Sequence, residues 1–281
     1  MVIEQPYDNP AEFHQVHLDA VVGATKAIYQ SNGQQPVRIL DLATGPNEFN
    51  PGYVRELRKK GIEYELVLSD ISPTVFVIGY ENIERECPEE LANIKCVLAD
   101  AKELRKDLTK IRVGEEGWKQ LEEVLDDSRY QFLQSGYENG QRIVDFSDES
   151  FDLVMGIIPY GSISSEAGDY STPISESARV LKQGGYHIMN EGPADGTLCL
   201  YLTHLFGKHN GKSDLTIRER ILSAISGART KHIDIIKNEL DSILRPIAVH
   251  SAIFEQNNDR SILKRIFQNG DLKEFVFVHQ K

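Results

Sequence analysis

Two aspartates, Asp41 and Asp70, stand where short apolar segments end, and carboxylates in that position suit the binding of a nucleoside. Residues 37–42 read VRILDL and are followed by the small residues ATGP, and residues 64–70 read YELVLSD. A buried parallel strand that ends in small residues lets a ligand approach the backbone closely. A carboxylate on the tip of the second strand accepts both hydroxyls of a ribose. The pair predicts a nucleoside-bearing cofactor at the carboxyl edge of a doubly wound sheet.

The elements that must position these aspartates alternate between strands and helices. Apolar residues at the 3.6-residue period, polar or proline starts and glycine stops indicate helices, and short apolar runs indicate strands. The predicted elements are a helix at 10–30, a strand at 37–42, a helix from Asn50 and Pro51 to Gly61, a strand at 64–69, a helix from Ser72 and Pro73 to Cys87, strands at 94–98 and 151–158, a helix from Thr172 and Pro173 to Gly184 and Gly185, and a strand at 186–190. Such alternation is typical of parallel βαβ units.

The stretch 102–142 is longer than the single helix needed to join two of these strands, and it includes a predicted helix near 115–134. This insertion is either a lid over the site or a structural elaboration packed on the outside. A lid is favoured because insertions at the carboxyl edge of such sheets fall where ligands bind. Residues 194–243 look mainly helical, and 247–254 and 274–279 are predicted as a closing pair of strands at one edge of the sheet.

Length and composition limit the class of protein. The 281 residues suffice for a single domain over 1–281, with a helical cap at 1–35. A net charge of −12 disfavours nucleic acid, which proteins bind through Lys and Arg. No apolar run reaches the roughly 18–20 residues of a membrane span, and the first residues lack a secretion signal. The three cysteines are scattered without a CxxC pair, so we expect a cytoplasmic protein without a disulfide framework or a zinc site.

Five motifs occur in a characteristic order: DLATG, LSDIS, ADA, DFSDESFDLVMG and SESARVLKQGGYHIMNE. Together they resemble the class I S-adenosylmethionine-dependent methyltransferase family, over about residues 37–191, and the last two are the most specific for small-molecule methyltransferases. The resemblance implies an α/β, doubly wound, Rossmann-like fold. Its sheet would have seven strands, mostly parallel, with an antiparallel edge strand.

The resemblance also implies which residues contact the methyl donor, S-adenosylmethionine. Asp41, Ala43 and Gly45 would line its methionine part, and Gly156 and Ile157 at the end of the fourth strand would face the sulfonium. The glycine-rich loop departs from the family pattern, because alanine stands at the first glycine position and asparagine at the third. We expect the added methyl group at Ala43 to affect the affinity for the cofactor more than the fold.

In the same resemblance, residues at the ends of the second and third strands would bind the adenosine end of the cofactor. Asp70 would accept both ribose hydroxyls and Ile71 would lie against the adenine face, whereas Asp100 would take the adenine amino group and Ala101 the ring edge. Asp70 has a second interpretation, as a cap for the helix that opens near Ser72, since aspartate favours such positions.

Four residues are candidates for contact with the methyl acceptor. Tyr160 follows the fourth strand, where its phenol would orient an acceptor or its ring would face the sulfonium, or it is a core tyrosine. His14 and His17 share a face of the first helix, where one is a candidate general base, or they form an exposed pair. Glu191 ends the fifth strand.

We therefore expect methyl transfer to oxygen or nitrogen of a small molecule, with no metal ion. An edge strand or residues 194–243 are candidate surfaces for a homodimer. One alternative is a catalytically inactive methyltransferase-like binding module, which the substitutions in the glycine loop favour. The other is a nicotinamide-dependent oxidoreductase, which the absence of a GxGxxG fingerprint disfavours.

Overall fold

The fold is seen in a computed structural model, which shows most of the predicted sheet. It describes residues 2–3, 11–45, 49–105, 128–138, 141–157, 171–191, 260–268 and 271–281. Residues 106–127, 194–243 and 247–254 and the side chain of Tyr160 lie outside this part of the chain. What was expected of them stays a prediction.

The described elements alternate as expected. The helices are α1 (Ala11–Ser31), α2 (Phe49–Lys59), α3 (Pro73–Glu86) and α4 (Ser171–Val180), with 3₁₀ helices at Pro88–Asn93 and Ser128–Gly136. The strands are β1 (Val2–Ile3), β2 (Val37–Leu42), β3 (Tyr64–Asp70), β4 (Ile94–Leu98), β5 (Tyr137–Glu138), β6 (Gln141–Arg142), β7 (Phe151–Ile157), β8 (Leu181–Glu191), β9 (Arg260–Gln268) and β10 (Asp271–Gln280).

The main sheet has the strand order β1-β9-β10-β8-β7-β2-β3-β4. β10 runs antiparallel to its neighbours β8 and β9, and the other neighbouring pairs are parallel. This is an α/β fold with a mostly parallel sheet and an antiparallel strand near one edge. The predicted number of seven strands is wrong, since eight pair in this sheet within the described residues. The two-residue β1 is too short to produce a periodic signal in the sequence.

The winding of the chain reverses between β2 and β7. From β2 the chain continues outward to β3 and β4, and it then returns to place β7 and β8 on the other side of β2. In doubly wound sheets the carboxyl ends of strands at such a reversal leave a crevice where ligands bind. The ends of β2, β3 and β7 therefore mark the place for a site.

Apolar cores form on both faces of the sheet, because successive residues of a strand point to opposite faces. In β2, Ile39 belongs to the core beneath α1, α2 and α3, whereas Leu40 and Leu42 belong to the core beneath α4. Each of these three side chains is at most 1% exposed. Helices thus bury both faces of the strands that carry the site.

α2 ends where predicted but does not begin as predicted. Gly61 adopts φ +63°, and its N–H donates to the carbonyl of Arg58 at 2.9 Å, which closes the helix. At the other end, α2 already includes Phe49, and the side chain of Asn50 bonds to a strand instead of capping the helix. The prediction of Asn50 as the cap is therefore wrong.

The predicted end of α4 at Gly184 and Gly185 is also wrong, because the helix stops at Val180 and β8 begins at the next residue. Gly184 adopts φ +76° and donates its N–H to the carbonyl of Lys281 at 2.7 Å. A Cβ at Gly185 would lie 2.7 Å from the carbonyl oxygen of Asp152. The two glycines therefore serve an irregularity within β8.

The described end of the 102–142 insertion packs along the outermost strand, β4. In the 3₁₀ helix Ser128–Gly136, the ring of Phe132 stacks on Tyr80 of α3 with centroids 4.7 Å apart. The backbone N–H of Cys96 in β4 donates to Ser135 Oγ at 2.9 Å. This segment therefore covers a sheet edge that would otherwise present unpaired backbone groups.

The segment predicted at 274–279 lies within β10. β10 pairs antiparallel along β9, a strand that the sequence analysis did not predict. The prediction of 247–254 as its partner concerns residues outside the described part.

Candidate functional site

The carboxyl ends of β2, β3 and β4 lie level with one another. The last residue of β2 is opposite Ser69, and Asp70 at the end of β3 is opposite the last residue of β4. Asp41 is the residue before the end of β2, and Asp100 is the second residue after β4. The structure thus places all three predicted carboxylates at one edge of the sheet.

Asp41 is the most deeply buried of the three, with a side chain only 1% exposed. Its Oδ2 accepts a hydrogen bond from Asn50 Nδ2 at 2.9 Å. Burial raises the pKa of Asp41 to about 7; the charge of Asp70 adds to the rise, and side-chain hydrogen bonds from Asn50 and Thr44 oppose it. A carboxyl group in this state changes its charge near neutral pH, so a cationic ligand would strongly favour its ionised form.

The turn after β2 is made by left-handed residues. Ala43 adopts φ +53° and Gly45 adopts φ +58°. Between them, the N–H of Thr44 donates to the carbonyl of Ser69 at 2.9 Å, which ties the turn to β3. Alanine at the first glycine position therefore keeps a left-handed conformation that glycine adopts more easily. Asn47, at the third position, lies outside the described residues.

Asp70 connects the turn to the start of α3. Its Oδ2 accepts the N–H of Gly45 at 2.9 Å, and its Oδ1 accepts the N–H of Ser72 at 2.8 Å. The N-cap of α3 is Ser72, whose side chain makes no cap hydrogen bond, so Asp70 closes a turn just before the helix and the capping interpretation is not confirmed. These two hydrogen bonds leave room for ligand binding, because a carboxylate has about four acceptor positions. Ile71 next to it is 48% exposed, unusually so for a large apolar side chain.

Asp100 and Ala101 follow β4 at the same edge. Asp100 Oδ1 accepts the N–H of Lys102 at 3.0 Å, and Ala101 is buried. Ala99 donates its N–H to the carbonyl of Asp70 at 2.9 Å, so the β3–β4 pairing continues up to this turn. The backbone around Asp100 is therefore held next to the end of β3.

Gly156 and Ile157 lie at the carboxyl end of β7, beside the end of β2. The register pairs Asp41 with Met155, so the next two residues of β7 extend alongside the turn that begins at Ala43. Gly156 is buried, and the side chain of Ile157 is outside the described part. Their expected role of facing the sulfonium stays a prediction.

Of the four acceptor candidates, only His17 has a side chain within the described part of the chain. His17 is fully buried, with its ring edge-on to Phe49 and the centroids 4.7 Å apart. The alternative of an exposed histidine pair is therefore wrong for His17. The backbones of His14 and Glu191 lie in α1 and at the end of β8, but their side chains lie outside the described part, as does Tyr160.

Sequence reasoning missed Asn50 and Thr44 as parts of the site. Both approach Asp41, Asn50 from the first turn of α2 and Thr44 from the turn after β2, where its hydroxyl donates to the carbonyl of Asp41 at 3.2 Å. The signal in the sequence was a polar residue, Asn50, at the start of the helix that follows β2. A polar residue in that position also fits a helix cap, which is what the sequence analysis predicted.

Two searches of the described residues concern membrane-spanning helices and clusters of potential metal ligands. None of its helices combines the length and apolar character needed to cross a bilayer. No group of three or more His, Cys, Asp or Glu within these residues is placed to hold a metal ion.

Comparison with known proteins relates the chain to solved methyltransferase structures. No family model matches the sequence, and no curated protein does. Among solved structures, the DszA carbon methyltransferase is similar with a TM-score of 0.51 at 12% identity, over 96% of this chain and 54% of that protein. This chain therefore spans about half the length of that enzyme.

Two other similar structures are also described as methyltransferases. One is a SAM dependent methyltransferase from Aquifex aeolicus, with 10% identity over 96% of this chain and 94% of that one and a TM-score of 0.39. The other is CrArsM, an arsenic (III) S-adenosylmethionine methyltransferase from Chlamydomonas reinhardtii. It has 14% identity over 87% of this chain and 62% of that one, and a TM-score of 0.42. At these identities the likeness concerns the fold.

Proposed function

We propose that this chain, whose fold is that of class I S-adenosylmethionine-dependent methyltransferases, is such an enzyme and methylates oxygen or nitrogen of a small molecule. One observation carries the proposal: Asp41, Asp70 and Asp100 lie at the carboxyl ends of three adjacent parallel strands, beside the reversal in strand order. A fold alone does not specify a function, and these site residues supply the chemical argument.

The residues at this edge fit the cofactor. S-adenosylmethionine carries a ribose, an adenine and a methionine end with a cationic amino group. Asp70 retains acceptor capacity for ribose hydroxyls, and the half-exposed Ile71 offers an apolar surface beside it for the adenine ring. The buried Asp41 would meet the cationic end and gain a partner for its charge.

The contribution of the protein to the reaction is mainly positioning. S-adenosylmethionine, when bound, supplies an activated methyl group on a sulfonium, and displacement there requires the acceptor to be in line. Correct orientation of two reactants is worth up to roughly 7–11 kcal/mol. A general base adds about 10²–10⁴-fold when the acceptor must lose a proton. The rigid ends of β2, β3 and β7 supply the orientation.

Titration calorimetry with S-adenosylhomocysteine tests this function directly. We expect the wild-type protein to bind, and Asp70→Ala to bind at least about tenfold more weakly, because the loss of hydrogen bonds to a charged group costs roughly 1.5–3 kcal/mol. Asp145→Ala is the matched control, since Asp145 also accepts the N–H of the residue two positions later, at 2.8 Å, away from the site. Absence of binding by the wild type at millimolar ligand would overturn the proposal.

A second candidate is a binding module without catalysis. The left-handed Ala43 favours it, because a methyl group at this turn lies where the resemblance places the methionine part. The two functions differ in one observable. Binding of S-adenosylhomocysteine together with the absence of methyl transfer to any of a broad panel of acceptors would favour the inactive module.

A further inference from the structure

Asn50 is a buried amide whose hydrogen-bonding capacity is only partly used. Its side chain is 0% exposed; Nδ2 donates to Asp41, and Oδ1 accepts no hydrogen bond from the described residues. A buried polar atom without a partner costs free energy. A leucine of similar volume would avoid that cost. Stability alone therefore does not explain an asparagine at this position.

The hydrogen bond from Asn50 acts on the charge of Asp41. The described titratable neighbours of Asp41 are Asp70 on β3, whose charge opposes ionisation, and Tyr53 on α2, whose own pKa is raised by burial and by Asp41. On α1, His17 packs on Phe49, the residue before Asn50. Burial and Asp70 both favour a neutral Asp41, and the amide of Asn50 works against them.

We propose that Asn50 is a positioning residue for the cofactor: it orients the Asp41 carboxylate and favours its ionised form, so that Asp41 binds the cationic amino group of the methionine end. This inference rests on the proposed methyltransferase function. Asn50 itself does not touch the cofactor and acts through Asp41, with which it shares the 2.9 Å hydrogen bond. The carboxylate in turn offers the amino group a charge-assisted hydrogen bond.

The proposal predicts a pH-dependent affinity. Since Asp41 must be ionised to bind the amino group, affinity for S-adenosylhomocysteine rises with pH until the carboxyl group is ionised in the free protein. Asn50→Leu removes the hydrogen bond that favours ionisation. We expect its affinity to be about tenfold weaker at pH 7, and the midpoint of its affinity profile to lie roughly one pH unit higher.

The decisive experiment is titration calorimetry of wild type and Asn50→Leu with two ligands between pH 5.5 and 8.5. S-adenosylhomocysteine carries the amino-acid end, and 5′-methylthioadenosine lacks it. We expect Asn50→Leu to weaken only the first ligand. Equal weakening of both would mean that Asn50 merely supports the fold, which would overturn the positioning role.

A double-mutant cycle shows whether Asn50 acts through Asp41. In an Asp41→Asn background the charge is gone, so we expect Asn50→Leu to leave the affinity for S-adenosylhomocysteine unchanged. A loss as large as in the wild-type background would contradict the mechanism.

Two control variants separate an effect on binding from an effect on folding: a second substitution at Asn50, and a substitution that breaks a hydrogen bond away from the site. Asn50→Ala removes the amide without adding apolar bulk and should show the same ligand and pH pattern. Ser135→Ala removes the acceptor of the 2.9 Å hydrogen bond from the N–H of Cys96, between the 3₁₀ helix Ser128–Gly136 and β4, and should lower the unfolding midpoint without changing either affinity.

The outcomes separate the two proposals. If the wild type binds neither ligand, the methyltransferase function itself fails. If the wild type binds S-adenosylhomocysteine and the Asn50 variants match its affinity and its pH profile, only the positioning role of Asn50 is overturned.

Discussion

Ala43 lies in the turn beside the site and carries a side chain in a left-handed backbone conformation. Its φ of +53° costs a non-glycine residue roughly 1–2 kcal/mol. Glycine at this position would remove that cost but lose roughly 0.5–1 kcal/mol through its freedom in the unfolded chain. We therefore expect Ala43→Gly to stabilise the protein by up to about 1 kcal/mol in urea unfolding.

Gln34 offers a matched control for Ala43. It adopts φ +62° in an exposed turn between α1 and β2, away from the carboxyl edge. Gln34→Gly should stabilise the protein to a similar extent and leave the affinity for S-adenosylhomocysteine unchanged, whereas Ala43→Gly should bind this ligand at least as tightly as wild type. A lower stability of Ala43→Gly would contradict the left-handed conformation.

Asp41 makes stability depend on pH in a direction that is unusual for an aspartate. Its pKa is about 7 in the folded protein, against an ordinary value of 3.8 for an aspartate, so between these values the folded state binds more protons than the unfolded state. Stability from this group is therefore present below about pH 4 and is lost as pH rises through 7. Asp41→Asn should remove this pH dependence. The difference in free energy of unfolding between the variant and wild type should shift in favour of the variant by up to about 1.4 kcal/mol for each unit that the pH rises toward 7.

Urea unfolding at pH 5, 6, 7 and 8 measures this difference. Asp148→Asn is the control, because Arg179 and Arg105 lower the pKa of the exposed Asp148 and its titration lies below this range. An Asp41→Asn variant that stays a constant free energy away from wild type across these pH values would show that Asp41 is ionised throughout.

At the scale of elements, the packing of a 3₁₀ helix on the edge strand depends on one glycine. A Cβ at Gly136 would overlap the carbonyl oxygen of Cys96 in β4 and lie 2.7 Å from Val97 Cγ2. Because a backbone carbonyl cannot move aside cheaply, we expect Gly136→Ala to destabilise the protein by about 1–3 kcal/mol in urea unfolding.

Gly52 in α2 provides the opposite case. A Cβ there has no heavy atom within 4 Å, so Gly52→Ala should stabilise the helix by up to about 1 kcal/mol. If Gly136→Ala stabilised the protein as Gly52→Ala is expected to do, close packing of Ser128–Gly136 against β4 would be excluded.

At the scale of the whole molecule, two buried histidines oppose the pH effect of Asp41. His187 on β8 and His279 on β10 are opposite each other in the sheet and are at most 1% exposed. Burial lowers the pKa of His187, and it lowers that of His279 to about 4. The unfolded state therefore binds more protons than the folded state between about pH 4 and 6.5, and stability falls as pH falls through this range.

His279→Leu removes one of the two titrating groups from the sheet. We expect urea midpoints of this variant to fall less than those of wild type between pH 6.5 and 4, because fewer protons are taken up on unfolding. Measurement in an Asp41→Asn background separates this effect from the opposite one of Asp41. An equally steep acid loss in wild type and His279→Leu would contradict it.

Much of the fold could be predicted because it depends on local patterns. The strand at 94–98 and the stop of α2 at Gly61 were predicted at their observed positions, since apolar runs and left-handed glycines act over a few residues. The end of α4 was predicted wrongly because Gly184 and Gly185 lie within β8, where their backbone bonds to Lys281. That partner is distant in the chain and invisible to a local pattern.

The amino-acid sequence by itself determined which residues reach the carboxyl edge. Asp41, Asp70 and Asp100 stand at or next to the ends of parallel strands, which brings these carboxylates to one side. Only the tertiary structure decided what surrounds them. Whether Asn50 caps a helix or bonds to Asp41 depends on how α2 packs over β2. The burial of His17 likewise depends on the contact between α1 and α2. Chain order sets the ends of strands, whereas burial, hydrogen-bond partners and charge arise from packing between distant segments.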